Sequence, residues 1–277
     1  MKESNILDQF KGFLDTPDIF SENHKGDLAT FSFKKVQITN ELIADLKKLD
    51  HPRNSVLGKR MESFFEVAIK HSDRYELIAS NIQVIANKQT LGELDFLIYD
   101  RLYSKPLHIE LVYKLYIYDK TFSSEINRWI GPNRRDSLYE KFSRLKSRQF
   151  PLLYKSETSE YLNDLNISTD KIEQQLCFKA QLFTEDSNIT YHPELVNLDC
   201  IAGHWYHFDD FIKKAWKDNL FYSPKKKDWS CNPEHNLNWL SQSELLKLID
   251  LLFSKNKASL VWMKTKTTYH KFFIVWW

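Results

Sequence analysis

The stretch KPLHIELVYKLYIYD (105–119) decides the fold, because it has the pattern of a long β-strand with charges on one face. Side chains of a strand alternate between its two faces. His108, Glu110 and Lys114 therefore share one face, and the residues between them are apolar or aromatic. We predict that the apolar face packs in a core, while the other face brings an acid and a base together in apolar surroundings.

Two further strand patterns come directly before this one. They are ELIASNIQVIA (76–86) and GELDFLIYD (92–100), and the short linkers between the three runs favour an antiparallel meander. Asp95 lies inside the second run, directly before FLIY. Aspartate is depleted in strands, so its presence there calls for a functional or structural reason.

Helical patterns precede and follow the three strands. Apolar residues recur at helical spacing in ITNELIADLKKLD (38–50) and in NSVLGKRMESFFEVAIKHS (54–72), where Glu62 lies off the apolar stripe. GPNRRDSLYEKFSRLKSRQF (131–150) predicts a basic helix with an apolar stripe of Leu138, Phe142 and Leu145. Asn133 or Asp136 is its predicted start, and Pro151 ends it. The rest of the chain predicts a strand, two helices and a terminal strand pair, at 176–184, 210–216, 241–253, 258–265 and 269–277.

Composition limits the class of protein. The chain has 277 residues, 42% of them hydrophobic and 27% charged, with a formal net charge of +2, so any electropositive surface must be local. The N-terminus has no signal-peptide pattern and no run is apolar enough to span a bilayer. Three scattered cysteines, without zinc-finger spacing, suit a reducing compartment. These features predict a cytoplasmic protein without a membrane partner, and they leave the oligomeric state open.

Simpler interpretations compete with a functional site. Glu110 and Lys114 fit the solvated face of an antiparallel strand, and periodicity alone favours that interpretation. His108 is more readily a surface histidine than a base or a neighbour of a metal. The basic helix contacts phosphate or is a solvated helix face. Seven of the eight tryptophans follow residue 200, and most are expected in the core rather than stacked on bases.

The motifs together resemble a known family. In order they are LGKRME (57–62), LGELDFLIYD (91–100), HIELVYKLYI (108–117), WIGPNRRDSL (129–138) and KFSRLKSRQFPL (141–152). They resemble the core of PD-(D/E)xK nucleases, and more closely a bacterial family placed in that superfamily, domain-of-unknown-function family 1853.

The resemblance implies a restriction-endonuclease-like α/β core. Its elements would follow the order α-β-β-β-α-β, with a central mixed sheet flanked by helices. We expect an N-terminal helical segment at 1–50, the nuclease-like core at 51–190, and a tryptophan-rich α+β extension at 191–277.

The resemblance also implies residue roles. Asp95 and Glu110 would hold Mg²⁺ or Mn²⁺, with the Leu111 carbonyl as a further ligand, and oxygen ligands do favour these ions. Lys114 would orient or deprotonate the attacking water. Glu62 would support the metal through water, and Gln149 would position the water or the phosphate, with Arg148 beside it. The expected nucleic-acid contacts, to DNA rather than RNA, are Arg134, Arg135, Lys141, Arg144 and Arg148.

One spacing departs from the superfamily pattern. The usual acid–x–lysine spacing would place the lysine at Val112, and here it is Lys114. Four residues of strand span roughly 13 Å, so a bulge or a folded-back side chain must bring Lys114 close to Glu110. Three functions therefore stay open: a metal-dependent nuclease, a nucleic-acid-binding module without turnover, and an interaction protein whose aromatic C-terminal part docks a partner.

Overall fold

Ten strands in one mixed sheet and eight α-helices make up the part of the chain that the computed structural model describes. That part comprises residues 6–20, 28–33, 36–52, 56–185, 195–216 and 218–277. Within these ranges, no helix is long and apolar enough to cross a membrane.

Three predicted helices are present at 40–48, 57–70 and 242–253, whereas the helices at 125–128 and 156–164 were not predicted. Thr39 caps the second helix, since its hydroxyl accepts a hydrogen bond from Leu42 N at 3.2 Å, and Ser241 forms a capping box with Glu244 at the last helix. The eight helices are α1 (Ile6–Asp15), α2 (Asn40–Lys48), α3 (Leu57–Lys70), α4 (Glu125–Arg128), α5 (Leu138–Arg144), α6 (Ser156–Asp164), α7 (Phe208–Lys213) and α8 (Gln242–Phe253).

The strands form one sheet with both parallel and antiparallel pairs. They are β1 (Ala29–Thr30), β2 (Tyr75–Ala86), β3 (Gln89–Asp100), β4 (Lys105–Tyr118), β5 (Trp129–Ile130), β6 (Glu173–Glu185), β7 (Ile201–His207), β8 (Leu220–Tyr222), β9 (Ser259–Lys264) and β10 (Tyr269–Val275). The main order is β2-β3-β4-β6-β7-β10-β9-β8, with β1 beside β6 and β5 beside β4. β2, β3 and β4 pair antiparallel, which confirms the predicted meander. β7 pairs parallel with both β6 and β10.

The chain divides into two compact units. The first unit is Met1–Ser21, Lys114–Tyr139 and Ala180–Trp277, and the second unit is Glu22–Tyr113 and Glu140–Lys179. Segments of the two units interleave along the sequence, whereas the predicted domains at 1–50, 51–190 and 191–277 are contiguous. That division into three stays a prediction.

Apolar packing in the second unit buries β4 on both faces. Phe65 of α3 packs on Phe96 of β3 with ring centroids 4.4 Å apart. Leu97 of β3 belongs to a second cluster, with Leu152 and Leu153. Every residue from Leu107 to Tyr113 is buried. A polar side chain between Leu107 and Tyr113 is therefore removed from water whichever way it points.

The predicted basic helix begins after Asp136, the later of its two predicted starts. Residues 131–136 form a loop in which Arg134 has a left-handed φ of 56°. Gly131 N donates to Asp136 O at 2.8 Å across this loop. A left-handed residue cannot continue an α-helix, so α5 begins only at Leu138. The chain then continues through a π-helical turn at Leu145–Gln149 and a 3₁₀ turn at Phe150–Tyr154, which contains Pro151 instead of ending before it.

Candidate active site

Two carboxyl groups lie next to each other on β3 and β4 in the second unit. Phe96 pairs with Ile109 across these antiparallel strands, so Asp95 and Glu110 are the next positions along the same register. Asp95 Oδ2 accepts a hydrogen bond from Leu111 N at 2.9 Å. Glu110 is fully buried, with 0% of its surface exposed. The solvated-face interpretation of Glu110 is therefore wrong.

Neutral partners hold both oxygens of Glu110. Gln149 Nε2 donates to Glu110 Oε2 at 2.7 Å, and His108 Nε2 lies 2.9 Å from Glu110 Oε1. Gln174 Nε2 lies 2.9 Å from His108 Nδ1, which must then accept, so His108 carries its proton on Nε2 and donates it to Glu110. His108 has 0% exposure, so the surface-histidine interpretation is wrong as well.

Burial sets the protonation of this cluster. Burial, and then the charge of Glu110, raise the pKa of Asp95 to about 8. Burial also raises the pKa of Glu110 to about 8, although the positive charge of Lys141 opposes the rise. Burial lowers the pKa of His108 to about 4. Near neutral pH the imidazole is therefore neutral, and the carboxyl groups retain protons until a cation replaces them.

Two lysines of the second unit lie at the carboxyl pair. Lys141 Nζ donates to Gln149 Oε1 at 3.0 Å, and its charge acts on both Asp95 and Glu110. Lys59 Nζ lies 2.7 Å from Glu62 Oε2 and 3.8 Å from Glu93 Oε1. The negative charge of Asp95 also contributes to raising the pKa of Lys59, while burial opposes the rise. The charge of Glu62 acts on both Asp95 and Glu110, and its carboxylate is paired with Lys59. Its role in supporting a metal stays a prediction.

Lys114 has a different partner from the one its sequence position suggested. Its Nζ lies 2.5 Å from Asp136 Oδ2 in the first unit, and both side chains are roughly one-third exposed, at 35% and 38%. From the sequence, Asp136 was expected only at the start of the basic helix and not as a partner of Lys114. A role of Lys114 at the carboxyl pair stays a prediction.

The predicted nucleic-acid contacts fall into both units. Arg144 and Arg148 are exposed, on α5 and on the π-helical turn of the second unit. Arg134 and Arg135 are exposed on the 131–136 loop of the first unit. The contact role of these residues stays a prediction.

The donor atoms of the carboxyl pair fit a hard divalent cation. Among the described residues, no group of three or more His, Cys, Asp or Glu side chains is arranged as a complete metal centre. Mg²⁺ keeps several waters and commonly takes one or two protein carboxylates together with substrate phosphates, so two carboxylates suffice for that mode of binding. A cation would also remove the unfavourable burial of two ionised acids.

Several residues around the carboxyl pair were not predicted from the sequence as part of the site. Lys59 lies one helical turn before Glu62, and Glu93 lies two residues before Asp95 on the same strand face. The residue spacing therefore could have indicated that both lie near the site. Gln174 gave no signal in the sequence. Lys141 was recognised only as a phosphate contact, because its proximity to the pair depends on how α5 packs.

We expect the metal-free protein to lose stability as pH rises from about 6.5 to 8. Asp95 and Glu110 have folded pKa values raised to about 8, so in this window the folded state holds protons that the unfolded state has lost. Each such group lowers the free energy of unfolding by up to about 1.4 kcal/mol per pH unit. Urea denaturation in EDTA across this window measures the slope.

Asp95→Asn should flatten that slope, since the amide oxygen can still accept the Leu111 N–H. Glu76→Gln is the matched control, because the side chain of Glu76 is 59% exposed. His108 does not set this slope. Its pKa is lowered from 6.5 to about 4, so its effect on the free energy of unfolding develops between these pH values and is complete above pH 6.5. Equal slopes in the wild type and in Asp95→Asn would show that Asp95 is ionised in the folded protein.

Comparison with known proteins gives one match. A family model with the description Domain of unknown function (DUF1853) covers residues 14–272. No curated protein and no solved structure matches the chain.

Proposed function

The chain belongs to this DUF1853 family, and we propose that it is a metal-dependent nuclease that hydrolyses phosphodiester bonds of nucleic acid, with DNA as the favoured substrate. The observation that carries the proposal is the pair formed by half-buried Asp95 and fully buried Glu110 on neighbouring strands. Holding two acids together away from water is costly once they ionise, and a bound cation offsets that cost.

We further infer that the second unit contains most of a PD-(D/E)xK-type core. When the short α4 and β5 and the helix α6 are left aside, α3, β2, β3, β4, α5 and β6 follow one another in the order α-β-β-β-α-β of such a core, and β4, α5 and β6 extend beyond the second unit. The acids lie on β3 and β4 and Glu62 lies on α3, at the positions that the resemblance implies.

In this proposal Asp95 and Glu110 hold Mg²⁺ or Mn²⁺. When bound, such an ion neutralises charge on the phosphate and lowers the pKa of a bound water. His108 and Gln149 fix the orientation of the Glu110 carboxylate through their hydrogen bonds. Lys141 places a positive charge beside the pair, where it stabilises negative charge that develops on the phosphate.

A second candidate is a nucleic-acid-binding module without turnover. The ion pair between Lys114 and Asp136 favours it, because the lysine expected at the carboxyl pair is engaged elsewhere. The two candidates differ in whether any phosphodiester bond is broken.

Incubation with a panel of labelled nucleic acids tests the proposal. Single-stranded, duplex, branched and RNA substrates are each incubated with Mg²⁺, Mn²⁺ or EDTA. We expect cleavage of at least one substrate with a metal and none with EDTA. Asp95→Asn should reduce the rate at least about 100-fold, because a catalytic cation lost with its ligand removes a main source of transition-state stabilisation.

Glu76→Gln serves as the control for a conservative carboxyl replacement on β2. Retention of every substrate without cleavage under all metal conditions would instead support the binding module. Cleavage that persists in Asp95→Asn would remove the carboxyl pair from the reaction.

A further inference from the structure

Cationic side chains of the first unit surround the 131–136 loop, which carries Arg135. Lys114 pairs with Asp136 of this loop, and Asn133 Oδ1 of the loop accepts from Ala258 N, the residue after Lys257. Lys226, on a 3₁₀ turn at Lys226–Asp228, is the fourth cation of the group, which we call the cation cluster. Desolvation, and then the positive charges of the other three members, lower the pKa of Lys226, although its side chain is exposed at the surface.

One acid lies among these cations. Asp136 pairs with Lys114 at 2.5 Å, and its charge partly opposes the lowering of the Lys226 pKa. Asp228, two residues from Lys226, is buried and accepts a hydrogen bond from Gln9 Nε2 at 2.8 Å. The cluster therefore carries an excess of positive charge at an exposed surface, which attracts an anion.

The loop that carries Arg135 is held in place by several hydrogen bonds. Arg134 N donates to Gly131 O at 2.7 Å, in addition to the Gly131–Asp136 bond described above. Asn133 Oδ1 accepts from Ala258 N at 2.7 Å, which ties the loop to the residue after Lys257. A side chain at Gly131 would collide with Asp136, since its Cβ would lie 2.1 Å from Oδ1. The cations are thus brought together by a fixed backbone, as a preorganised anion site requires.

The adjacent residue of the loop faces aromatic rings. The Arg134 guanidinium carbon lies 4.0 Å from the centroid of the Trp277 ring. Arg134 and Trp277 line a cavity of about 750 Å³ together with Trp205, His207 and Lys214, and with three acids, Asp119, Glu185 and Asp210. Arg134 is ion-paired with Asp119 in this cavity, and Lys120 with Glu185. The aromatic rings suit stacking on a nucleobase, whereas its phosphates fit the cation cluster.

We propose that the 131–136 loop and the cation cluster bind a single strand of nucleic acid, with phosphates at Lys226 and Lys257 and a base in the aromatic cavity. Arg135 of the cation cluster and Arg134 of the aromatic cavity are consecutive, and neighbouring Cα atoms are about 3.8 Å apart. A short stretch of single-stranded nucleic acid can therefore reach both the cluster and the cavity. The inference rests on the proposed function for its ligand class, and it assigns Lys114 to phosphate binding.

Binding of a labelled twelve-residue oligothymidine, measured by fluorescence anisotropy in EDTA, tests the inference. We expect the double variant Lys226→Gln, Lys257→Gln to bind at least about tenfold more weakly at low salt. Its plot of log Kd against log salt should flatten by about 1.4, or about 0.7 for each lost phosphate contact on a single strand. The control is Lys247→Gln with Lys266→Gln, which removes two exposed charges of the same unit outside the cluster.

An abasic strand of equal length separates phosphate from base recognition. Binding of the abasic strand should depend on Lys226 and Lys257 as binding of oligothymidine does. Trp277→Leu should weaken the binding of oligothymidine alone, by about tenfold. Lys226→Gln should also raise the Tm of the free protein by about 1–2 °C at low salt, because it relieves repulsion. A purely structural lysine would lower the Tm on replacement.

Two results would overturn the inference. One is an unchanged affinity and salt slope in the double variant, and the other is competition by inorganic phosphate equal to that of the abasic strand at the same phosphate concentration. Because binding is measured in EDTA, its outcome is independent of cleavage. Cluster-dependent binding without any cleavage would leave this inference standing and refute the nuclease proposal alone.

Discussion

Mn²⁺ at about 100 times its Kd should raise the Tm of the wild-type protein by about 5–10 °C near pH 7.5. Such a concentration adds about 2.7 kcal/mol to the free energy of unfolding, and each kcal/mol shifts the Tm of a protein of this size by about 2–4 °C. The site is the pair Asp95 and Glu110. Differential scanning fluorimetry with and without EDTA measures the shift, and Mg²⁺ should act in the same direction.

Proton release should accompany that binding. Since burial raises the pKa of both carboxyl groups to about 8, a cation at neutral pH displaces protons from them. The calorimetric heat should therefore change with the ionisation enthalpy of the buffer. Asp95→Asn should lose most of the Tm shift and the proton release, while Glu76→Gln keeps both. An equal shift in Asp95→Asn would place the metal elsewhere.

The acidic residues of the site could be predicted from sequence because strand periodicity is strict. A period of two residues fixes which side chains share a face, and the short linker between the two strand patterns places Asp95 and Glu110 on adjacent strands, as β3 and β4 are. The position of Glu62 on a helix before the three strands was equally clear. These assignments depend on local backbone geometry, which the pattern of apolar residues reports directly.

Burial of the polar face could not be predicted in the same way. His108 and Glu110 alternate with apolar residues, a pattern that suits a solvated face and a buried polar network equally well. The residues that cover them, Gln149 and Gln174, lie 39 and 66 positions away from their partners in the sequence. Periodicity within one strand carries no information about such distant partners.

The partners of long cationic side chains were the least predictable feature. A lysine stem has four rotatable carbons, so the position of its backbone restricts its nitrogen only loosely. Lys114 shares a strand with Glu110 but pairs with Asp136, whereas Lys141 lies on a helix and acts on the carboxyl pair. The start of α5 shows a similar limit, since the sequence offered both Asn133 and Asp136, and the left-handed Arg134 excludes the earlier one.

Lys141→Met should therefore lower kcat for cleavage by about 100-fold or more, and Lys114→Met should act mainly on KM. The charge of Lys141 opposes the rise in the pKa of Glu110, and its Nζ reaches Gln149, which donates to the same carboxyl group. A cation in that position stabilises the negative charge that the phosphate gains in the transition state, an effect of about 10² to 10³ in rate. Methionine retains the apolar volume without the charge.

Lys146→Met is the control for Lys141→Met. Lys146 is exposed, lies five residues further along the same helical segment, and has its Nζ 5.0 Å from the Phe142 ring. Mn²⁺ should raise the Tm of Lys141→Met as much as that of the wild type, which separates loss of the transition-state cation from loss of the metal. Lys114→Met should weaken substrate binding, since Lys114 belongs to the cation cluster.

The opposite division of effects would reassign the two lysines. If Lys114→Met lowers kcat as strongly as Lys141→Met is expected to, while its KM and metal binding are unchanged, then Lys114 acts on the reacting phosphate, as the strand motif implied. That result would require its ammonium group to leave Asp136 when substrate binds. Asp136→Asn would then raise kcat by freeing the lysine, whereas it should leave kcat unchanged if Lys141 is the cation that stabilises the transition state.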